Sequence, residues 1–595
     1  MKELEYPFDA HFILSRKKRL RRELLESGQK FVDKRIAILG GSTTAEIKNV
    51  LELFLLNYGI RPSFYECGFG QYYEAAVFPN KELLEFHPDI FYIHTTRRNV
   101  SFYPSLTDDK ERIDEMAAEE YKKFEEIWTR LRQVYGCPVI QNNFEMPLYR
   151  LLGNRDISDI HGAANFLERL NGKFYEYAQN HDSFYICDIA YLAADFGLKE
   201  WGDPFYYYLY KYALNMEAIP SLSFQVANII KSIFGKNKKG FVLDLDNTLW
   251  GGVVGEDGVD HLSLGPGDAN GEAYQEFQRY IKAQKQLGIL LNVASKNDYE
   301  NAVSGLNHPD SLLKPEDFMV IKANWEPKDQ SVGEIAEELG ILPESLVFVD
   351  DNPAERHLVS RRFPGIQAPD VGEIHQAIVR LDRSGYFEAS ILSEDDLVRN
   401  EMYKGNQRRK ELERTVGNYG EYLKSLEMRA VIEPFESLYM GRIAQLTNKS
   451  NQFNLTTRRY TPSELEELAG NAEYLTLYGK LRDRFGENGV VSAVIGRREE
   501  EMCRIELWLM SCRVLKRDME CAMMDALVKR CQACGIRELR GYYFPTAKNG
   551  MVREFYKEQE FEKIGEDERG NTEWRYRIPD VYKERNQYIQ IEERL

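Results

Sequence analysis

The stretch Phe241–Gly258, FVLDLDNTLWGGVVGEDG, decides the fold of the central part of this 595-residue chain. Its first residues are apolar and predict a buried strand, Phe241–Leu245. The polar run DLDNT begins at Asp244, where that strand ends. Two carboxylates spaced two residues apart at the end of a buried strand are typical of a ligand-binding edge of a sheet.

Further polar clusters follow apolar, strand-like runs. They are Ser295–Asp298 after Ile289–Ala294 and Asp350–Asn352 after Leu346–Val349, while Lys328 follows Asn324–Pro327 and a further strand is predicted at Phe318–Ile321. Helix-length patterns separate the runs, which predicts a doubly wound α/β domain with a parallel sheet over residues 236–390. Because the carboxyl ends of parallel strands share one crevice, we expect the clusters to converge.

The converging residue types suit phosphoryl transfer. Asp244 is placed to attack phosphorus and form an aspartyl-phosphate. Asp246 is placed to protonate the leaving oxygen and later to activate water. Ser295 and Lys328 would hold the phosphoryl oxygens.

Carboxylates crowd around a phosphate only where cations offset their charge, so we expect Mg²⁺ at this edge. Its predicted ligands are Asp244, the backbone carbonyl of Asp246, and Asp350 or Asp351, between which the sequence does not decide. Within the same clusters we assign Thr248 to the catalytic set and Asn247, Asn297 and Asn324 to substrate binding.

The four clusters, in this order, resemble the motifs of the HAD superfamily, and they are closer still to its FkbH-like branch. The resemblance extends from Phe241 to Lys563. It is carried by Phe241–Gly258, Ser295–Asp298, Asn324–Lys328, Leu346–Glu355 (LVFVDDNPAE), Asn451–Thr461 (NQFNLTTRRYT) and Asp483–Gly486 (DRFG).

The FkbH resemblance implies a phosphorylated three-carbon donor similar to 1,3-bisphosphoglycerate. It further implies that the glyceryl group is loaded on the thiol of an acyl-carrier protein and that phosphate is removed. No cysteine lies between Cys187 and Cys503, and Ala294 precedes Ser295. We therefore expect direct transfer or simple dephosphorylation rather than a covalent glyceryl-enzyme in this domain.

Spacing predicts that the central site is open. Asp244 and Ser295 are 51 residues apart, and Ser295 and Lys328 are 33 apart. A helix–strand–helix return uses most of that length, so the domain is predicted to be a capless HAD Rossmann-like domain. Gly251-Gly252 and Glu256–Gly258 form either a small flap near the phosphate or an ordinary turn.

Residues 31–235 resemble an SGNH hydrolase-like (flavodoxin-like) α/β domain. A strand, Arg35–Leu39, runs into Gly40–Thr44 and a helix, so Ser42 stands at a strand-to-helix turn as a candidate nucleophile. Gly68 or Gly70, together with Asn99, are candidate oxyanion donors. Tyr206 stands where the family's catalytic His belongs, three residues after Asp203, so this domain is predicted to bind rather than react.

Residues 427–580 resemble a GNAT-like α+β acyltransferase domain. In that fold the motif RxxGxG/A binds the pyrophosphate of CoA or a phosphopantetheine arm at a helix N-terminus. Arg513–Asp518 occupies its place, with Lys516 and Asp518 where glycines belong. The candidate site residues are Arg513, Asn549 and Tyr556, the last as a general acid or as core packing. Asn451, Arg458 and Arg459 are predicted to contact the substrate or a carrier arm.

Composition bounds the rest. The net charge of −17 argues against nucleic acid as the main partner. No run of 18 apolar residues is present, and the eight cysteines lack a disulfide spacing, so we expect a cytoplasmic protein without a membrane span. We expect residues 1–30 to form a helical extension, residues 391–426 a connecting helix, and residues 581–595 a charged tail that is free to fray.

The leading hypothesis is an FkbH-like enzyme that dephosphorylates a three-carbon acyl donor and passes the acyl group to a carrier thiol. A second is a phosphatase acting on another small phosphorylated metabolite. A third is a binding scaffold with degenerate flanking domains. The set of acidic and basic residues around Asp244 argues against the scaffold, whereas the altered flanking motifs argue partly for it.

Overall fold

The computed structural model describes residues 1–78, 80–390, 392, 394–450, 452–546 and 548–592. They form two compact units, Met1–Lys236 and Asn237–Leu595. The chain is a multidomain α/β protein with two parallel sheets and one mixed sheet, which confirms the predicted fold class. Among the described helices, none combines the length and apolar composition needed to cross a lipid bilayer.

The first unit alternates strands and helices. Its elements are α1 (Ala10–Glu26), β1 (Val32–Gly40), α2 (Ala45–Asn57), β2 (Ile60–Glu66), α3 (Tyr72–Val77), α4 (Lys81–Phe86), β3 (Ile90–His94), α5 (Lys110–Tyr135), β4 (Val139–Asn142), α6 (Ala163–Asn180), β5 (Phe184–Cys187), α7 (Ile189–Phe196), α8 (Leu198–Trp201), α9 (Pro204–Tyr210) and α10 (Ile219–Ile233). The sheet is parallel, in the order β2-β1-β3-β4-β5. Separate apolar cores cover its two faces, so the end of β1 is buried on both sides.

The second unit begins with another parallel sheet. Its elements are β6 (Gly240–Leu243), α11 (Val254–Asp257), α12 (Ala269–Gln286), β7 (Leu290–Ser295), α13 (Tyr299–Leu306), β8 (Val320–Ala323), α14 (Lys328–Leu339), β9 (Leu346–Val349), α15 (Pro353–Arg362) and α16 (Ile374–Arg383). The strand order is β8-β7-β6-β9. Every residue of β6, β7 and β9 is buried, because helices cover both faces. β8 begins two residues later than the sequence predicts, since a 3-10 turn, Pro315–Asp317, precedes it.

The predicted single connecting helix is three helices. They are α17 (Glu394–Leu397), α18 (Arg399–Thr415) and α19 (Tyr419–Ser425). α19 starts anew because the Asn418 side chain caps it, accepting from the Gly420 amide at 2.8 Å. α18 is fixed to the following sheet by Arg409, whose Nε and Nη2 each donate to Asp483 at 2.7 Å.

The last part of the second unit is a mixed eight-stranded sheet with flanking helices. Its elements are β10 (Met428–Glu433), α20 (Met440–Lys449), α21 (Pro462–Gly470), β11 (Tyr474–Asp483), β12 (Gly486–Glu499), β13 (Met502–Met510), α22 (Met519–Ala533), β14 (Glu538–Tyr543), α23 (Phe555–Glu558), β15 (Glu562–Glu566), β16 (Thr572–Arg577) and β17 (Ile589–Ile591). The order is β15-β16-β14-β13-β12-β11-β10-β17. β13 and β14 are parallel but pair only over Met502–Arg504 and Glu538–Arg540.

The tail, which the sequence left free to fray, is held over its described residues by the buried Asp525 and by strand pairing. β17 pairs with β10 in parallel. Asp525 accepts from the Tyr582 hydroxyl at 2.7 Å and from the Arg585 and Asn586 amides at 3.0 and 2.9 Å. Local composition gave no sign of these contacts, since their partner lies about 60 residues away in α22.

We predict that Asp525→Ala releases this tail. Each hydrogen bond to a buried carboxylate contributes about 1.5–3 kcal/mol to stability. The substitution removes the carboxylate that accepts all three of these hydrogen bonds. Hydrogen exchange of the peptide covering residues 580–592 should become fast. Glu584→Ala is the matched control, since its pair with Lys529 is exposed and should change stability by about 0.5 kcal/mol or less. Equal exchange in both variants would contradict the assignment.

Candidate active site

One ammonium group holds the centre of the second unit's parallel sheet together. Asp244 follows β6, Asp350 follows β9, and Lys328 is the first residue of α14. Lys328 Nζ lies 2.7 Å from Asp244 Oδ2 and 2.6 Å from Asp350 Oδ2. All three side chains are buried, so this is a desolvated acid–base–acid cluster at the carboxyl edge of the sheet.

A third carboxylate joins the cluster. Asp244, Asp350 and Asp351 each offer an oxygen, and these oxygens lie within 4.8 Å of one another. Three carboxylates and one ammonium leave a formal charge of −2, which one divalent cation would neutralise. An oxygen-only donor set suits a hard cation such as Mg²⁺, so the residues present fit the metal that the sequence implies. Asp350 is buried and bonded to Lys328, whereas Asp351 is exposed, and both lie within the same group of oxygens.

The ionisation of the cluster follows from its burial. Burial raises the pKa of Asp244, and the neighbouring Asp350 adds to the rise, while Lys328 opposes both. Burial by itself lowers the pKa of Lys328, but the two carboxylates more than offset it, so that pKa is raised. Lys328 therefore stays charged, and its ammonium favours the carboxylate form of Asp244 that a nucleophile needs, against a pKa that burial raises to about 7.

Asp246 is held on the opposite side by the flap. Its Oδ1 accepts from Trp250 Nε1 at 2.9 Å and from the Val254 amide at 3.1 Å. Its Oδ2 accepts from Asn297 Nδ2 at 2.9 Å. The segment Gly251–Gly258, which we call the flap, contains the short helix α11, and its Val254 amide contacts the second carboxylate.

The other predicted residues of the clusters organise the loops. Thr248 Oγ1 accepts from the Asp351 amide at 3.3 Å and so links the loops after β6 and β9. Asn247 has a positive φ of 54° and accepts from the Gly252 amide at 3.0 Å. The Asn324 side-chain oxygen accepts from the Glu326 backbone amide at 3.0 Å. The Asn324 backbone amide donates to the Ser295 carbonyl at 3.1 Å. Ser295 itself is buried at the end of β7.

The sequence motif did not single out two tryptophans around this site. Trp250 is buried under the flap and donates to Asp246. Trp325 is 69% exposed, and its Nε1 donates to Asp298 Oδ1 at 2.9 Å, which fixes an indole beside the loop that leads into Lys328. The sequence could have indicated them only by their closeness to site residues. Trp250 comes four residues after Asp246, and Trp325 comes three residues before Lys328.

The N-terminal unit does not supply Ser42 with a base among the described hydrogen bonds. Ser42 is 4% exposed, and its Oγ is buried without a hydrogen-bond partner. Asp203 caps α9 by accepting from the Phe205 amide at 2.8 Å. His94 is fully buried, and burial lowers its pKa to about 4, so it is neutral. Asn99 Nδ2 donates to the Gly41 carbonyl at 2.9 Å.

In the loop Arg513–Asp518, the amides of Val514, Lys516 and Arg517 are already bonded within the chain. The Lys516 amide donates to Glu520 Oε1 at 2.8 Å, and its carbonyl accepts from the Tyr419 hydroxyl at 2.6 Å. Asp518 has a positive φ of 67°, and its carboxylate accepts from the Gln587 amide at 2.6 Å. Arg513 Nη1 faces the Met402 sulfur in α18.

The gap between the diverging strands β13 and β14 is filled by the chain itself. The Leu455 amide donates to the Trp508 carbonyl at 3.1 Å, and the Met510 amide donates to the Phe453 carbonyl at 3.0 Å. On the other side, the Phe544 amide donates to the Leu455 carbonyl at 2.8 Å. An extended, amide-bearing arm would need these same strand-edge groups. The residues present here therefore do not fit CoA or a phosphopantetheine arm.

The remaining C-terminal candidates that the structure describes are buried or bonded within the chain. Asn549 is fully buried and donates to the Asn454 carbonyl at 3.0 Å, so it holds the inserted segment. Tyr556 is 1% exposed in the main apolar core, and burial raises its pKa. Arg458 pairs with Glu506, and Arg459 donates to the Thr447 carbonyl. Asn451 lies outside the described residues.

Comparison with known proteins agrees with the predicted resemblance. Residues 35–231 match the family model described as FkbH, N-terminal domain, which confirms a resemblance to the FkbH family. No curated protein matches the chain. The crystal structure of the N-terminal part of a Bacteroides fragilis protein, which contains a phosphatase domain and is complexed with Mg, is 27% identical, with a TM-score of 0.58. That match covers 63% of this chain and 99% of the other.

Smaller solved structures match about a quarter of the chain. An acetyltransferase of the GNAT family from Streptococcus pneumoniae is 15% identical, covers 25% of this chain and 100% of its own, and has a TM-score of 0.22. Ard1 from Thermoplasma volcanium is 17% identical, covers 25% and 99%, and has a TM-score of 0.21.

We predict that Asp350→Asn and Asp351→Asn each weaken Mg²⁺ binding by at least about tenfold, because each removes one negative charge from the donor set. Isothermal titration calorimetry with Mg²⁺ alone measures the change. Asp260→Asn, an exposed acid two residues after the flap, is the control and should bind like the parent chain. If both site variants keep the parent affinity, the three carboxylates are not the metal site.

Proposed function

We propose that this chain is a Mg²⁺-dependent phosphatase of the HAD type. The observation that supports it best is Lys328 Nζ between Asp244 and Asp350 with Asp351 beside them, at the carboxyl edge of a parallel sheet. The Mg-bound phosphatase domain in the similar Bacteroides fragilis structure supports the same assignment. A binding scaffold would have no need of a buried cluster of this charge.

The reaction follows from the positions of these side chains. An Asp244 carboxylate oxygen attacks phosphorus while the bond to the leaving oxygen breaks and that oxygen takes a proton from Asp246. Water then attacks the aspartyl-phosphate, gives its proton to Asp246 and restores Asp244. Ser295 and Lys328 hold the phosphoryl oxygens. Asp244, Asp350 and Asp351 would hold Mg²⁺, which would supply positive charge to the phosphoryl group.

The flap keeps the proton donor in place. Trp250, Val254 and Asn297 give Asp246 hydrogen bonds on two sides, so its carboxyl has a defined direction before substrate arrives. Asp244 and Asp246 thus have separate surroundings, one buried against an ammonium and one under neutral N–H donors. That difference suits separate roles as nucleophile and as acid and base.

The access to the site suits a substrate presented by a larger molecule. Between Asp244 and Lys328, all of which is described, the chain forms the flap, two strands and two longer helices, with no separate cap domain. Trp325, on the loop before α14, and Tyr299, the first residue of α13, are both exposed. An exposed indole next to a phosphoryl site offers an apolar contact to an incoming arm.

We propose further that the substrate is a phosphorylated three-carbon acyl donor similar to 1,3-bisphosphoglycerate, and that its glyceryl group passes to the thiol of an acyl-carrier protein. The FkbH resemblance supports the donor and the carrier. Since no cysteine lies between Cys187 and Cys503, the thiol must arrive from outside, on the carrier's phosphopantetheine arm.

In this scheme the carrier thiolate attacks the acyl-phosphate carbon, so that the C–S bond forms and the C–O bond breaks with loss of inorganic phosphate. Asp244 then removes the remaining phosphate as described. The filled gap between β13 and β14 leaves the central site as the place where the arm would react. The described cysteines are free, which agrees with a reducing, cytoplasmic setting.

A second candidate is a phosphatase on another small phosphorylated metabolite, without transfer. The lack of a nearby cysteine favours it, as does the self-filled gap in the C-terminal part. Both candidates use the same phosphoryl chemistry and differ only in whether a thiol takes the acyl group.

We predict that Asp244→Asn lowers kcat for phosphate release by about 10⁴-fold or more, because it removes the nucleophile. Phosphate release from 1,3-bisphosphoglycerate or from a generic aryl phosphate, with and without EDTA, measures the loss. Ser42→Ala and Asp260→Asn are the controls and should keep the parent kcat. Loss of turnover in Ser42→Ala, with turnover retained in Asp244→Asn, would move the chemistry to the N-terminal unit.

We predict that a phosphopantetheinylated carrier protein gains the mass of one glyceryl group when it is incubated with the full chain, Mg²⁺ and 1,3-bisphosphoglycerate. Intact-mass spectrometry measures the adduct, and a phosphoglyceryl adduct should accumulate with Asp244→Asn. Phosphate release without any adduct would reject the transferase and leave the phosphatase standing.

A further inference from the structure

A cavity of about 550 Å³ lies where the end of α14, the helices α18 and α19, and the loop Arg513–Arg517 meet. That volume is within the range of small-molecule sites. Basic side chains outnumber acidic ones on its wall. The basic ones are Arg409, Lys410, Arg513, Lys516 and Arg517, and the acidic ones are Glu338 and Glu413. On a chain with a net charge of −17, this is a local reversal of sign.

Arg517 is the residue that sets the chemistry of this wall. Its side chain is 9% exposed, and its Nη1 is buried without a hydrogen-bond partner among the described atoms. Asp483 Oδ2 lies 3.6 Å from Nη1, too far for a hydrogen bond. A guanidinium cannot lose its proton to relieve this, so the buried charge depends on the ion pair with Asp483, a carboxylate that Arg517 shares with Arg409.

The acceptors around Arg517 are already engaged. Asp483 takes two hydrogen bonds from Arg409 at 2.7 Å and one from the Phe485 amide at 2.9 Å. Asn406 Oδ1 accepts from Arg409 Nη1 at 2.9 Å and from Arg517 Nη2 at 3.4 Å. Two guanidinium groups therefore share one carboxylate and one amide oxygen. Burial, and the nearby Arg409, lower the pKa of Arg517, in keeping with this shortage of negative charge.

The rest of the wall is suited to an organic body. Tyr403, Tyr419 and Tyr422 line the cavity together with Leu339 and Leu515. The rings of Tyr419 and Tyr422 are 5.7 Å apart, which leaves flat surfaces beside the guanidinium. Such surfaces bind aromatic or apolar groups by contact and stacking.

We propose that this cavity binds a phosphate-bearing organic anion, with its phosphate on Arg517 and its organic part against the tyrosines. Counting Asp483 behind the wall, the five basic residues exceed the three acidic ones by two charges, which a phosphate monoester dianion balances. The planar fork of arginine also matches phosphate oxygens in pairs. Arg513 and Lys516 stand on the same loop to share the remaining charge.

The cavity is separate from the phosphoryl-transfer centre. α14 begins at Lys328 and reaches the cavity with its last residues, Glu338 and Leu339. At about 1.5 Å per residue, its 12 residues place the two sites roughly 17 Å apart. The proposed site also relies on side chains rather than on the amides of the loop, of which the Lys516 amide is already bonded.

The test is calorimetric titration of the full chain with phenyl phosphate, in EDTA and in the Asp244→Asn background so that the ester is not hydrolysed. We expect one binding site. Arg517→Gln should weaken it at least tenfold, and the more exposed Lys516→Ala should weaken it in the same direction while preserving the fold. Circular dichroism confirms that each variant is folded.

Two controls locate the site. Arg537→Gln removes an exposed arginine of the same part of the chain and should leave the affinity unchanged. Lys328→Met removes the phosphoryl-binding ammonium of the central site and so reports whether the ester binds there. The proposal is overturned if no heat is observed, if Lys328→Met rather than Arg517→Gln abolishes binding, or if phenyl sulfonate, a monoanion, binds as tightly as the phosphate.

Discussion

The contact of Lys328 with two buried carboxylates is the constraint on which the central site depends. β6 pairs with β9 in parallel, with Leu243 opposite Val349, so the next residues, Asp244 and Asp350, must lie side by side. Two buried carboxylates at that separation repel each other unless a cation stands between them. The start of α14 supplies it. The sheet register, the helix start and the ion pair are thus one arrangement, and none can shift alone.

The N-terminal unit and the C-terminal sheet differ from this centre because their candidate reactive groups are not accessible to a substrate. Ser42 is buried without a partner, and the gap between β13 and β14 is closed by Phe453–Leu455. Reactive groups of the right type are present in both places, but the surrounding hydrogen bonds already occupy or isolate them. Residue type alone therefore overstates what the outer parts can do, whereas in the centre the types and their surroundings agree.

The sequence predicted those features of the fold that depend on local hydrophobic pattern. Apolar runs followed by polar clusters located the strand ends of the central sheet, and the parallel pairing of β6 with β9 places Asp244 beside Asp350. It could not predict contacts decided by distant partners. The pairing of Leu455 with Trp508, the tail strand β17 on β10, and the break before α19 depend on where other segments pack. Trp325 escaped notice because exposure cannot be read from a motif.

Trp325 also gives the protein a built-in optical probe. Of the six tryptophans in the chain, the other five are at most 5% exposed, whereas Trp325 is 69% exposed. Its indole is in water and is fixed by Asp298 on a loop that leads directly into Lys328. The long-wavelength edge of the intrinsic fluorescence therefore comes mainly from one ring at the mouth of the central site. Anything that arrives there can be followed in real time without attaching a dye.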